Sequence, residues 1–180
     1  MIARLRKFAV RAGLTVIPVV SLVPVVHAQA ASGQTDTVSW LTSDSTARTA
    51  TLRLETSRPG GAPAALISGL SGSHAQVIVP LGWTVQWEWR SADSSASHSL
   101  VVMSEREKLP TEGGRPAFDN AMTRQLLEGL PAGQIDRTTF LADQAGWYWI
   151  LCGVPGHAIA GEYIGLRVDP AATAGAVKRK

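Results

Sequence analysis

The chain has 180 residues, of which 17 are basic, 14 are acidic and one is a cysteine. That length allows one domain with a sizeable core, and a single cysteine excludes an internal disulfide framework. The excess of basic residues does not indicate nucleic-acid binding, because four cations lie within the first 11 residues and three lie in the last three.

The N-terminal 28 residues have the organisation of a cleaved secretory leader. Four basic residues and no acidic one precede or begin an apolar stretch over 12–26, and Val26-His27-Ala28 offers a small–x–small cleavage site. A membrane anchor is the alternative, but this stretch is interrupted by Pro18 and Pro24 and is shorter than the roughly 20 residues that span a bilayer. We therefore predict that residues 1–28 are a signal peptide and that the mature protein is periplasmic or secreted, without a membrane span.

The mature chain is predicted to be a single all-β domain. Residues 29–46 are polar and predict a linker or a loose first strand, whereas residues 47–169 contain short segments of alternating polarity between Gly- and Pro-rich turns. This pattern is typical of a β-sandwich of seven to eight strands. Residues 170–180 are rich in alanine and then basic, and we expect a disordered tail. The predicted strands are 49–56, 76–79, 83–90, 98–103, 138–142, 147–152 and 163–168.

One segment departs from this pattern. Phe118, Met122, Leu126 and Leu127 recur at helical spacing within Pro116–Leu130. We predict a short helical insertion there.

Five tryptophans occur at strand spacing, and they are expected mainly in the core because aromatic side chains dominate sandwich interiors. They are Trp83, Trp87, Trp89, Trp147 and Trp149.

The most informative motif joins a cysteine to a histidine. Cys152 ends a predicted strand, the tight turn Gly153-Val-Pro-Gly156 follows, and His157 comes five residues after the cysteine. A lone cysteine in an exported protein is either an inert buried thiol, an intermolecular bridge or a metal ligand. The loop lets a thiolate and an imidazole converge on one ion, and this donor pair suits copper.

A second histidine stands where such a site requires one. His98 follows a Ser-rich loop and opens a predicted strand, from which it can reach a neighbouring loop at the same end of a sandwich. Two histidines and one cysteine form the donor set of blue-copper electron-transfer sites. A zinc site remains an alternative on ligand type alone.

Three motifs resemble those of the cupredoxins, and most closely their sulfocyanin-like branch. They are Val79-Pro-Leu-Gly-Trp-Thr-Val85, His98-Ser-Leu-Val-Val102 and Cys152-Gly-Val-Pro-Gly-His-Ala158. The resemblance implies a Greek-key sandwich over 47–169 with a type 1 site that binds one copper ion through His98, Cys152 and His157. It also implies one-electron exchange with redox proteins outside the cytoplasm.

One position departs from the family pattern. Sulfocyanins place an axial methionine five residues after the loop histidine, where this chain has Glu162. An anionic carboxylate favours Cu(II), so axial coordination by Glu162 predicts a lower reduction potential and a less blue colour. A side chain directed to solvent or to an ion pair is the alternative.

We therefore predict an electron carrier and not an enzyme. A second cysteine in the loop, a His-x-His pair and a Gly-x-Ser-x-Gly motif are all absent from the sequence, which argues against binuclear copper centres, multicopper oxidases and hydrolases. The alternative function is copper storage or delivery, or small-ligand binding of the kind suspected for the red-copper nitrosocyanins.

Overall fold

The computed structural model describes residues 35–36 and 38–179, and this part of the chain contains eleven β-strands and no helix. The predicted signal peptide lies outside these residues. No segment of the described part forms a helix capable of crossing a membrane. The strands are β1 Thr35–Asp36, β2 Leu41–Asp44, β3 Thr49–Ser57, β4 Leu66–Ile67, β5 Gly72–Pro80, β6 Trp83–Ser91, β7 Val101–Ser104, β8 Ile135–Ala142, β9 Gly146–Leu151, β10 Tyr163–Asp169 and β11 Ala176–Arg179.

The strands form two mixed sheets. One has the order β1-β11-β5-β10-β9-β7, and the other has the order β2-β3-β6-β8 with β4 paired to β3. Within them β3 pairs with β6, and β5 with β10, in parallel. From β6 to β9 consecutive strands alternate between the sheets, so that their inner faces enclose one core. The predicted β-sandwich is confirmed.

The core follows the alternation of the longest strands. In β6 the inward positions are the apolar Trp83, Val85, Trp87 and Trp89, and all four are buried. Strands of the opposite sheet contribute Val77, Ile150, Ile164 and Leu166 to the same cluster. All seven predicted strands are present. The additional ones, β1, β2, β4 and β11, have two to four residues, which is too short to produce a periodic pattern.

The predicted helix over Pro116–Leu130 is wrong. Asn120 and Gln125 have left-handed backbone conformations, with φ of 65° and 49°, which interrupt a helix. The segment instead lies along β7, where Thr123 N donates a hydrogen bond to Leu100 O at 2.8 Å. Phe118 packs in the main core and Leu126 packs outside it, whereas Met122 and Leu127 are exposed.

The chain also differs from prediction at its C-terminus. Residues 176–179, expected within a disordered tail, form β11, which pairs with β5 and with β1. Val177 is buried in this arrangement. The ordered part is therefore wider than 47–169.

The tryptophans divide between two environments. Trp83, Trp87 and Trp89 lie in the core as predicted. For Trp147 the prediction is wrong, because 48% of its surface is exposed. Trp149 packs in a second cluster outside the main core. Alternation along β9 explains both positions, since Tyr148 and Ile150 occupy the inner face of that strand.

Candidate metal centre

Three neighbouring strands meet at one end of the six-stranded sheet. β9 lies between β10 and β7, and Leu151 at the end of β9 pairs with Tyr163 and Val101, which begin the other two strands. Side chains just beyond these strand ends are therefore close in space although they are up to 64 residues apart in sequence.

The four predicted ligands occupy these positions. His98 precedes β7, Cys152 follows β9, and His157 and Glu162 lie in the connection to β10. One potential ligand atom from each residue lies within 4.8 Å of the other three. The structure thus brings all four side chains into one cluster.

The imidazoles present the same type of nitrogen to the cluster. Cys152 Sγ lies 3.5 Å from His157 Nδ1 and 4.0 Å from His98 Nδ1. Glu162 Oε2 lies 2.9 Å from His98 Nδ1 and 3.3 Å from His157 Nδ1. A thiolate, two Nδ1 atoms and a carboxylate oxygen therefore surround one position.

Burial differs within the cluster. His98 and Cys152 are fully buried and Glu162 is nearly so, whereas the side chain of His157 is 24% exposed. His157 is therefore the residue of the cluster that reaches the protein surface.

Burial and charge shift the pKa values of three of these groups. Burial, followed by the charge of Glu162, raises the pKa of the Cys152 thiol to about 12. Burial lowers the pKa of His157. Burial opposes charging of His98 as well, but hydrogen bonds and charges from Glu162 and Asp93 outweigh it and raise the pKa of His98. Without a metal ion, the thiol retains its proton.

Glu162 provides a test of whether a metal ion fits. Its Oε1 atom is buried and has no hydrogen-bond partner within 35–36 and 38–179. Such an atom is costly unless it is paired or coordinates a metal. Because the remaining donors are a thiolate and two imidazoles, the set suits copper. The residues present therefore fit a copper ion.

Backbone contacts hold the cysteine in place. Ser99 N donates to Cys152 Sγ over 3.5 Å, and Ser99 Oγ accepts a hydrogen bond from Gly153 N and donates one to Leu126 O. Hydrogen bonds to a ligating sulfur restrain its orientation and tune the metal.

Residues 105–134, which join β7 to β8 and are here called the cover segment, pack over both ligand loops. Leu130 and His98 exchange two backbone hydrogen bonds. Gly113 N donates to Gly153 O, and Gly156 N donates to Thr111 O. These hydrogen bonds attach the cover segment to the two loops that carry the predicted ligands.

Sequence reasoning missed two residues beside the cluster. Asp93 Oδ2 lies 3.0 Å from His98 Nε2, and Arg58 Nε donates to the same oxygen at 3.0 Å. The available signal was an acidic residue in the loop five residues before the histidine. Nothing in the sequence associates Arg58 with that loop.

Residues 36–176 match the family profile of the sulfocyanin (SoxE) domain. Rusticyanin from Thiobacillus ferrooxidans is similar in structure, with 22% identity, a TM-score of 0.44, and coverage of 68% of this chain and 82% of that one. Reduced auracyanin from Roseiflexus castenholzii has 20% identity, a TM-score of 0.44, and coverage of 66% and 97%. No curated protein matches the chain.

Proposed function

Because the chain belongs to the sulfocyanin family of cupredoxins, we propose that it is an exported one-electron carrier in which His98, Cys152 and His157 bind one copper ion. The observation that carries this proposal is the convergence of the chain's only cysteine with two imidazoles and a carboxylate within 4.8 Å. Bound copper supplies a Cu(I)/Cu(II) couple to such a donor set.

The protein's contribution is a rigid enclosure. Cys152 is fixed by Ser99, and His98 is bridged to Leu130 in the cover segment. Ligands held this way keep their positions when the charge of the site changes, which lowers the reorganisation that accompanies electron transfer. The edge of His157 is exposed and offers the shortest path to a redox partner. No substrate bond need break, so the function is electron transfer and not catalysis.

Glu162 is proposed as the axial ligand. It is 1% exposed, lies against both Nδ1 atoms, and leaves Oε1 without a partner among the residues that the structure describes. These contacts argue against a side chain directed to solvent. An anionic ligand stabilises Cu(II) over Cu(I), so this site should have a lower potential than a methionine-ligated one.

The same carboxylate supports a second function. A carboxylate donor suits a more tetragonal Cu(II) site, and the partly exposed side of His157 would give a small anionic or neutral ligand access to it. Small-ligand binding would then accompany or replace electron transfer. Copper storage and delivery have no comparable structural support.

Copper loading tests the proposal. Purified protein should bind one copper per chain and show an intense thiolate-to-copper band in the visible spectrum with reversible voltammetry. Cys152→Ser should abolish the band. Met103→Leu and Met122→Leu should retain it, because neither methionine is a proposed ligand. Absence of the band in the loaded wild type, or exclusive retention of zinc, would refute the electron carrier.

Axial coordination has its own test. Glu162→Met should raise the reduction potential and deepen the blue colour, because a neutral thioether replaces an anionic carboxylate. If neither changes, Glu162 is not a ligand.

Spectral titration of the wild type with nitrite or azide tests the second function, since a carrier with a closed site should not respond.

The predicted signal peptide agrees with this proposal. A copper carrier of this family with a predicted leader over residues 1–28 is proposed to act in the periplasm or outside the cell. Its partners are proposed to be redox proteins that dock over the exposed edge of His157.

A further inference from the structure

Asp93 is a buried carboxylate whose hydrogen-bond acceptors are all used. It is 4% exposed. Its Oδ2 contacts Arg58 Nε and His98 Nε2, both at 3.0 Å. Its Oδ1 accepts hydrogen bonds from the backbone N and the hydroxyl of Ser95. The guanidinium of Arg58 and the two donors of Ser95 together stabilise the charged form of this carboxyl group. The side chain is therefore an ionised acceptor.

This carboxylate determines which nitrogen of His98 is available to a metal. An ionised carboxylate accepts hydrogen bonds and donates none, so His98 Nε2 must carry a hydrogen. The other nitrogen, Nδ1, lies 2.9 Å from Glu162 Oε2 and 4.0 Å from Cys152 Sγ. The ring is thus held with its metal-binding nitrogen directed into the cluster. Carboxylates that orient metal-ligating histidines in this way are a recurrent feature of metal sites.

We propose that Asp93, held by Arg58, is a positioning residue that directs Nδ1 of His98 toward the copper and, together with Arg58, sets the reduction potential. This inference rests on the proposed copper-binding function and adds two residues outside the ligand set. The copper position itself is defined by the ligands. Asp93 and Arg58 act through His98 and through their charges.

The two charges act in opposite directions. Asp93, Glu162 and the thiolate of Cys152 place three negative charges around one ion, and Arg58 is the cation in contact with Asp93. Negative charge stabilises Cu(II) relative to Cu(I), and positive charge does the reverse. Neutralising Asp93 should raise the potential, and neutralising Arg58 should lower it.

A second ion pair provides a matched control. Asp136 is 4% exposed and accepts a hydrogen bond from Arg124 Nε at 2.7 Å, and its Oδ2 also accepts one from Arg124 N. It resembles the Asp93–Arg58 pair in burial and in having an arginine and a backbone N–H as donors, but it contacts no proposed ligand. The effect of losing any buried, arginine-paired aspartate can therefore be distinguished from the specific effect of losing Asp93.

The experiment compares Asp93→Asn, Asp93→Ala, Arg58→Gln and Asp136→Asn in the copper-loaded protein. Asp93→Ala should weaken Cu(II) binding by about 10- to 100-fold, as is typical when such a partner is removed. Asp93→Asn keeps an acceptor oxygen, so its affinity should fall less while its potential rises. Arg58→Gln should lower the potential. Asp136→Asn should change neither affinity nor potential.

In the copper-loaded protein, either of two results would overturn the proposal. One is a potential that moves in the same direction, or not at all, in Asp93→Asn and Arg58→Gln. The other is unchanged copper affinity in Asp93→Ala. If Asp93→Ala does not fold, the opposite shifts of Asp93→Asn and Arg58→Gln still decide the question.

A measurement without copper separates this inference from the proposed function. Nitrogen-15 NMR of the metal-free protein should show the Nε2 hydrogen of His98 protected from exchange in the wild type and unprotected in Asp93→Ala. If that difference is seen while the wild type binds no copper, only the copper function fails. If the wild type binds copper but the hydrogen is unprotected, the positioning role fails alone.

Discussion

The two histidines of the site are held in different ways. His98 is fully buried, contacts a carboxylate through each ring nitrogen, and exchanges backbone hydrogen bonds with Leu130. His157 lies in the short connection between β9 and β10, is 24% exposed, and contacts Glu162 through Nδ1 at 3.3 Å. Glu162 and Leu130, which help to enclose His98, are distant from it in sequence, whereas His157 is positioned by the loop that carries it.

This difference indicates separate roles. His98 is already oriented before a metal ion arrives, because its partners are buried side chains that do not depend on the ion. His157 forms the boundary between the cluster and solvent, so metal entry, small-ligand access and electron exchange should all occur on its side. The comparison predicts that changes at the two residues are not equivalent.

The largest expected effect is on copper affinity. His98→Ala removes a buried residue proposed as a ligand and leaves Asp93 and Glu162 without a shared partner, so copper binding should weaken by more than about 100-fold, beyond what the loss of an outer partner causes. His157→Ala should weaken binding less, because water can replace an exposed ligand. Competition with a chelator of known affinity measures both.

The matched control for these variants is His74→Ala, since His74 is exposed and lies outside the cluster. It should leave affinity unchanged. Equal losses for His98→Ala and His157→Ala would contradict the distinction between an enclosed and a boundary ligand.

The next effect is the pH dependence of copper binding. Cys152, with its pKa raised to about 12, must release one proton on binding at any pH near neutrality. His98, with a raised pKa, must release a second proton below that pKa, whereas His157, with a lowered pKa, takes up its own proton only at lower pH. Affinity should therefore rise about tenfold per pH unit above the pKa of His98 and more steeply below it.

Chelator competition between pH 5 and pH 9 would show this as a change of slope. In His98→Ala the steeper limb should begin only at lower pH, because the remaining imidazole, His157, has a lowered pKa. A slope that stays constant in the wild type would mean that His98 does not carry the second proton.

The residues in and around the site differ in how far the sequence alone predicts their positions. Cys152 and His157 are five residues apart, and their loop alone predicts that they share a site. His98 could be placed because it begins a strand. Asp93 could not be paired with Arg58, 35 residues away, because that contact depends on how separate loops meet. Likewise β11 is stabilised by pairing with β5, which its four residues do not encode.

Rescue of the visible band by free imidazole should also distinguish the two histidines, and we expect this effect to be smaller. His157→Gly leaves a gap at the surface that free imidazole can enter, so the visible band lost in this variant should return when imidazole is added. His98→Gly leaves an enclosed gap beneath the cover segment, and its band should not return. Recovery in both variants, or in neither, would show that exposure does not separate the two sites.

The smallest effect on copper binding is expected for Gly129, which lies between the two loops that carry the proposed ligands. A Cβ there would come within 2.8 Å of His98 N and 2.9 Å of Val154 Cγ2, and its φ is +74°. Gly133 is the control, because its φ is +84° but a Cβ would meet nothing within 4 Å. Both alanine substitutions should cost about 1–2 kcal/mol for the backbone conformation. Gly129→Ala should cost about 1–3 kcal/mol more through overpacking.

Urea unfolding of the metal-free variants measures this difference. Because Gly129 contacts the backbone of His98, its substitution should also displace the enclosed imidazole and reduce copper affinity, whereas Gly133→Ala should not. Equal unfolding free energies for the two variants would mean that the cover segment can move away from the ligand loops. In that case the fixed position of His98 would depend on Asp93 and Glu162 alone.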